Sequence, residues 1–229
     1  MPTVDLARTP LRELNAALHR LAPDTNETHW QVLNPRGAHA VAAGIDAPIT
    51  VEIEGHVGYY CAGMNKHATV LVHGSAGPGV AENMMSGRVH VRGDVSQGAG
   101  ATGCGGLLVV DGNASARCGI SMKGIDIVVK GSVGHLSAFM AQAGTLVVLG
   151  DAGEALGDSI YEAHLYVRGS VKSLGADCIE KPLAEHHRAE LRRLLTVAGL
   201  DGALDIGTFR RYGSARRLYH FHVDNAGSY

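Results

Sequence analysis

Thirteen histidines and four cysteines supply most of the side chains in this 229-residue sequence that could hold a metal or attack a substrate. Their spacing does not build such a site. His186 and His187 are adjacent within a helical pattern, so their rings leave the helix about 100° apart. His220 and His222 share one face of an extended segment, but no third ligand stands near them in sequence. Cys61, Cys104, Cys118 and Cys178 form no C-x-x-C pair. The run Gly74-Ser75-Ala76-Gly77-Pro78-Gly79 has the composition of a phosphate loop, but it lacks the Lys-Ser/Thr and the helix that must follow one. No G-x-S-x-G nucleophile elbow occurs. The carboxylates Glu52, Glu54, Asp111 and Asp126 could serve as the acid/base pair of a polysaccharide-cleaving enzyme only if stacked on one outward face. Asp111 and Asp126 fall in different columns of the repeat described below, and Lys130 lies above Asp111. We therefore assign no catalytic, cofactor-binding or metal-ligating residue from the sequence.

The elements that would position these groups come from a repeat. Glycine recurs every nineteen residues at Gly55, Gly74, Gly93, Gly112, Gly131, Gly150 and Gly169. Four residues before it stand Val51, Val70, Val89, Leu108, Ile127, Leu146 and Leu165, and two before it a column of isoleucine and valine from Ile53 to Val167. Two after it Val57, Ala76, Val95, Ala114, Val133, Ala152 and Val171 alternate large and small. Seven after it stand only glycine and alanine: Ala62, Ala81, Gly100, Gly119, Ala138, Gly157 and Ala176. Alternating apolar positions make a strand with one face inward. The glycine is expected to turn the corner because it reaches positive φ without steric cost. Ser75, Asp94, Asn113, Ser132, Asp151 and Ser170 follow it, which is turn chemistry. The tiny residues at plus seven mark a second corner where backbones pass closely.

A fixed period near 20 residues without a helical signal is the mark of a stacked solenoid. At the ~4.8 Å strand spacing, seven coils make a rod of roughly 30 Å. Parallel strands joined by crossovers wind right-handed, so the expected fold is all-β, a right-handed parallel β-helix with flanking helices. Hexapeptide coils step by eighteen, calcium-binding nonapeptide coils need an aspartate in every turn, and ice-binding coils show an outward threonine ladder; none fits. The expected organisation is an N-terminal helix and connection over 1–48, the β-helix over 49–180, and a C-terminal helix and arginine/aromatic tail over 181–229. Thr9-Pro10 opens the first helix, whose apolar stripe is Leu11, Leu14, Leu18 and Leu21. Pro182 begins the second, and Gly199 stops it. Both helices would cap the open strand edges at the solenoid ends.

Composition bounds the partners. Net charge is −2, which implies no nucleic-acid-binding field. Met1 to Leu21 carries Asp5, Arg8, Arg12 and Glu13 and has no apolar core, so no signal peptide is expected, and no window has the length of a membrane span. Cys61 and Cys118 share a column three coils apart, roughly 14 Å, too far to bridge. Reduced thiols and a cytoplasmic location are the expectation.

One column suggests an interface. The minus-three position should point outward, yet it holds Leu71, Val109, Val128 and Val147. A stacked apolar stripe is covered either by the terminal helices or by another chain. The tail adds Arg210, Arg211, Arg216, Arg217, Tyr219 and Phe221, an interface-like composition. These ten residues are the candidate partner interface.

The coils Gly55-His56-Val57-Gly58, Gly74-Ser75-Ala76-Gly77-Pro78-Gly79 and Gly131-Ser132-Val133-Gly134 resemble the GXGXG β-helix domain at the C-terminal end of the glutamate synthase large chain, over residues 45–180. As a free-standing chain, including the run from Ser214 to Ala226, the sequence is similar to the β-helix subunit of N-methylglutamate synthase (methylamine–glutamate N-methyltransferase). The β-helix component of formylmethanofuran dehydrogenase shares the fold family and matches less well. The resemblance implies a non-catalytic scaffold in a multi-subunit enzyme that makes N-methylglutamate from glutamate and methylamine. Its expected partners are an amidotransferase-like subunit and a synthase subunit that bears FMN and iron–sulfur clusters. The sequence agrees with that division. Residue two is Pro2 rather than a cysteine nucleophile, no cysteines cluster for an iron–sulfur centre, and β-coils cannot supply a flavin-binding barrel. The alternatives are an equivalent subunit of a glutamate synthase-like amidotransferase or of a formylmethanofuran dehydrogenase complex, and a stand-alone carbohydrate-active β-helix.

Overall fold

The computed structural model describes residues 1–200, Gly202 and 204–217. Among these, the strands are β1 (Thr3–Asp5), β2 (His29–Leu33), β3 (Thr50–Glu54), β4 (Thr69–Val72), β5 (Arg88–Val91), β6 (Leu107–Val110), β7 (Lys123–Val129), β8 (Ala143–Val148), β9 (His164–Val167), β10 (Cys178–Lys181) and β11 (Arg210–Ser214). Helix α1 spans Leu11–His19 and α2 spans Glu185–Val197. The described strands form one sheet in the order β1-β2-β3-β4-β5-β6-β7-β8-β9-β11-β10, with β1 to β9 all parallel.

The register is the nineteen-residue period made physical. Val51 pairs with Val70, Val70 with Val89, Val89 with Leu108, and so on to Leu165. These residues and their minus-two neighbours are buried and form the solenoid interior. The plus-two column bridges coil to coil from Val57 through Ala76, Val95, Ala114, Val133 and Ala152 to Val171. The chain is mostly β, a parallel β-solenoid of about seven repeated coils with two helices, as the period predicts.

The two corners exchange the reasons expected for them. Among the seven period glycines only Gly55 has positive φ. The other six are required by close approach. A Cβ on Gly74 would lie 2.6 Å from the carbonyl carbon of Gly55, and one on Gly131 would lie 2.7 Å from the oxygen of Gly112. The coils meet here backbone to backbone, and the N–H of Gly93, Gly112, Gly131, Gly150 and Gly169 each donates to the preceding glycine's carbonyl at 2.9–3.2 Å. The positive φ lies instead in the plus-seven column, at Ala62, Ala81, Gly100, Gly119, Ala138 and Gly157. Residues two places to either side are left-handed too, including Tyr60 and Met64, Arg117 and Ser121, and Leu136 and Met140. Left-handed alanine costs about 1–2 kcal/mol, offset here because each such turn bonds to both neighbours: Tyr60 N–H to Pro78 O, Ala62 N–H to Val41 O, and Met64 N–H to Glu82 O.

The turn residues after the glycines form a ladder of their own. Asp94 Oδ1 accepts from Asn113 N–H at 2.7 Å, Asn113 Oδ1 from Ser132 N–H at 2.9 Å, Ser132 Oγ from Asp151 N–H at 2.9 Å, and Asp151 Oδ1 from Ser170 N–H at 2.7 Å. Each side chain satisfies a backbone donor that no strand partner reaches.

The ladder also begins one coil before the period does. β2 pairs with β3, but twenty-one residues separate the partners Trp30 and Val51, which hides this coil from a nineteen-residue search. Helix α1 closes that end, burying Leu14 and Leu18. Asn15 and His19 on α1 bond the backbone of Ala40, Ala42 and Ala43.

Candidate partner interface

Helix α2 lies across the outward apolar stripe. Val109, Val128 and Val147 are fully buried with Tyr166 beneath Leu191, Leu194, Leu195, Ala198 and Phe209. Arg193 anchors the helix to the sheet through Asp126 at 2.9 Å. Of the two covers expected for the stripe, the one present is the chain's own helix, so these three valines offer no surface to a partner. Leu71 lies beyond the helix, half-buried between Glu52 and His90.

The arginine segment is likewise built into the fold. β11 inserts antiparallel between β9 and β10 and closes the far end of the sheet. Tyr212 is buried in the solenoid core. Arg210 reaches the Gly169 carbonyl and approaches Glu180. Arg211 bonds the Pro182 carbonyl, and its Nε is buried without a hydrogen-bond partner. Arg216 pairs with Glu162 at 2.8 Å, and the Arg217 N–H bonds Asp177. The segment expected as an arginine/aromatic tail is therefore strand over Arg210–Ser214 and bonded to the last coils as far as Arg217. Tyr219 and Phe221 lie outside the described residues, as do His220 and His222.

Under α2 sits a compact polar cluster. Glu190 accepts from Tyr166 Oη at 2.5 Å, is 2.9 Å from His164 Nδ1, and accepts from Thr145 Oγ1 at 3.3 Å. Burial opposes its charge, but these partners outweigh it and hold the carboxyl near 2. Burial, then Arg211 and the neighbouring imidazoles, push His187 down to about 4. Neutral His187 uses Nδ1 to accept from the Ala184 N–H at the start of α2. This cluster joins helix to sheet.

The uncovered outer face of the earlier coils is charged. Asp111 meets Lys130 at 2.8 Å, His90 at 2.9 Å and Arg92 at 3.1 Å. Partial burial opposes its ionisation, yet these three partners bring its pKa to about 2. Asp111 is thus committed to ion pairs and ionised near neutral pH, and Asp126 is held by Arg193. One further group escaped the sequence reading, which assigns no metal ligand. Glu52, Glu54 and His73 place one ligand atom each within 4.8 Å of one another. His29 adds its Nε2 at 3.1 Å from Glu52. The four come from three successive coils, so no spacing within one segment announces them.

The large exposed apolar side chains include Tyr59, Met64 and Met85, at 46%, 45% and 52% exposure. All three lie on or beside the left-handed corner, and the Tyr59 ring packs at a tilt on Tyr60 with centroids 5.4 Å apart. Burial pushes the thiols of Cys61, Cys118 and Cys178 up to about 12, which leaves them protonated and inert. No described helix is long and apolar enough to cross a membrane.

Glycine-punctuated coils, a helix over the outer stripe and a returning end strand define a capped parallel β-solenoid. No family model matches the chain. It is 64% identical over 229 residues to protein GlxC of Rhizobium meliloti (strain 1021), covering 100% of both chains. The chain belongs to the GlxC family. That kinship fits the glutamate synthase-related resemblance of its coils.

Proposed function

We propose that this chain is the non-catalytic structural subunit of a multi-subunit, glutamate synthase-related enzyme of the N-methylglutamate synthase type. It would hold an amidotransferase-like subunit against a synthase subunit that bears FMN and iron–sulfur clusters, in the cytoplasm. The observation that carries this reading is the strict GXGXG-like coil stack, in which most of the recurring positions of the period serve coil-to-coil contact. Two features support it. Asp111 and Asp126 are neutralised by cations, and three of the four thiols are buried and protonated. Exposed Tyr59, Met64 and Met85 provide an apolar contact surface on coils that α2 does not cover.

Native purification with subunit mass analysis and a visible spectrum tests the proposal. The expected result is co-purification with yellow-brown chains that form N-methylglutamate from glutamate and methylamine, while this chain alone is colourless and inactive. Recovery with a glutamine-hydrolysing partner and no methylamine activity would assign the chain to an amidotransferase complex. A lone, colourless chain active on polysaccharide would overturn the scaffold reading.

A further inference from the structure

The grouping of His29, Glu52, Glu54 and His73 has the donor chemistry of a divalent cation site. Two imidazoles and two carboxylates present nitrogen and oxygen ligands from three neighbouring coils, β2, β3 and the residue after β4. In a tetrahedral zinc site with bonds near 2.1 Å, ligand atoms lie about 3.4 Å apart. Here His29 Nε2 is 3.1 Å from Glu52 Oε1, His73 Nε2 is 3.6 Å from Glu52 Oε2, and His73 Nε2 is 4.0 Å from Glu54 Oε1. Glu52, Glu54 and His73 hold one ligand atom each within 4.8 Å of one another, while His29 contacts the other oxygen of Glu52 and would complete the set by turning about its side-chain bonds.

We propose that these four residues bind one borderline divalent cation of the zinc class. Charge agrees with that choice, because two carboxylates and two neutral imidazoles balance a dication. The nitrogen donors disfavour calcium and magnesium, which take oxygen ligands. The bound ion would clamp three successive coils on the outer face of the N-terminal half, away from α2. It would act there as a cross-link between coils, added to their backbone hydrogen bonds, side-chain ladder and packing.

The test is titration of the purified, metal-stripped chain with Zn²⁺ and, separately, with Co²⁺ as a spectroscopic stand-in. The expected result is uptake of one equivalent, a visible ligand-field band for the Co²⁺ form, displacement of Co²⁺ by Zn²⁺, and a raised melting temperature. Glu52→Gln and His73→Ala should each weaken binding at least about tenfold, with circular dichroism confirming the coils. Glu54→Gln, at a more exposed position, provides a variant that does not threaten folding. His67→Ala, which removes an exposed histidine beside Asp46, should leave uptake unchanged. Absence of stoichiometric uptake, or uptake that survives Glu52→Gln, Glu54→Gln and His73→Ala alike, would overturn the site.

Discussion

The two corners of each coil make opposite demands on single residues. At Gly112 an added Cβ would meet Gly93 O at 2.8 Å and Asp94 N at 2.9 Å, atoms that cannot move without parting the coils. Gly112→Ala should cost about 1–3 kcal/mol, or about 2–4 °C in melting temperature per kcal/mol for a chain of this size. At Arg117 the side chain is exposed but φ is +59°. Arg117→Gly should stay within about 1 kcal/mol of the parent, because relief of the left-handed strain offsets the greater freedom of the unfolded chain. Equal destabilisation of both variants in thermal melts would contradict this division. Protonation also acts residue by residue. His187 titrates near 4 when folded against 6.5 as a free side chain, so the unfolded chain binds the extra proton. Its contribution is complete above about pH 6.5 and is lost as pH falls toward 4. Glu190, near 2 against 4.5, loses its contribution between about pH 4.5 and 2. Melting temperature should fall on acidification across both ranges, and His187→Gln should flatten the upper one.

At the scale of elements, α2 and β11 are coverings that the repeat needs. Leu194 is fully buried over the valine stripe. Leu194→Ala should cost about 2–5 kcal/mol and increase binding of a hydrophobic dye as the stripe becomes accessible. β11 fills the sheet between β9 and β10. A chain ending at Arg217 keeps all the strands of this sheet, whereas one ending at Thr208 exposes the β9 edge and removes Tyr212 from the core. Exposed strand edges recruit other chains. The shorter chain should aggregate or lose amide protection around β9 relative to the longer one. Matching light scattering and exchange for the two would remove β11 as the closing element.

For the whole molecule, function becomes a question of which surface remains open. α2 occupies the outer face of the later coils, and ion pairs cover much of the earlier one. Tyr59, Met64 and Met85 are among the large apolar side chains that stay exposed. Substituting all three by serine should preserve melting temperature within a few degrees, since these side chains are about half exposed. Under the scaffold proposal it should weaken recovery of partner subunits at least about tenfold, as loss of interface anchors does. Unchanged recovery would place the contact on another face of the coils.

The interior was legible in the sequence because one physical constraint acts on every coil. Strand alternation buries Val51 and Ile53 and their equivalents, and stacking repeats the demand at a fixed interval. The seven repeated coils and the alternating column from Val57 to Val171 follow from that constraint, whereas the two helices were legible from their proline and glycine boundaries and leucine stripe, and the extra coil at β2, offset by twenty-one residues, was not. The reason for each glycine did not, because positive φ and close approach both select glycine and only coordinates separate them. Nor did the roles of the ends. Whether Val128 meets α2 or a partner, and whether Arg211 lies in a strand or a tail, depends on where the chain returns after residue 181. That return is a single event outside the period. The grouping of His29, Glu52, Glu54 and His73 was equally hidden, because its members lie close only after the coils stack. Periodic burial writes itself into sequence many times over, whereas a contact made once between distant segments leaves a mark only in three dimensions.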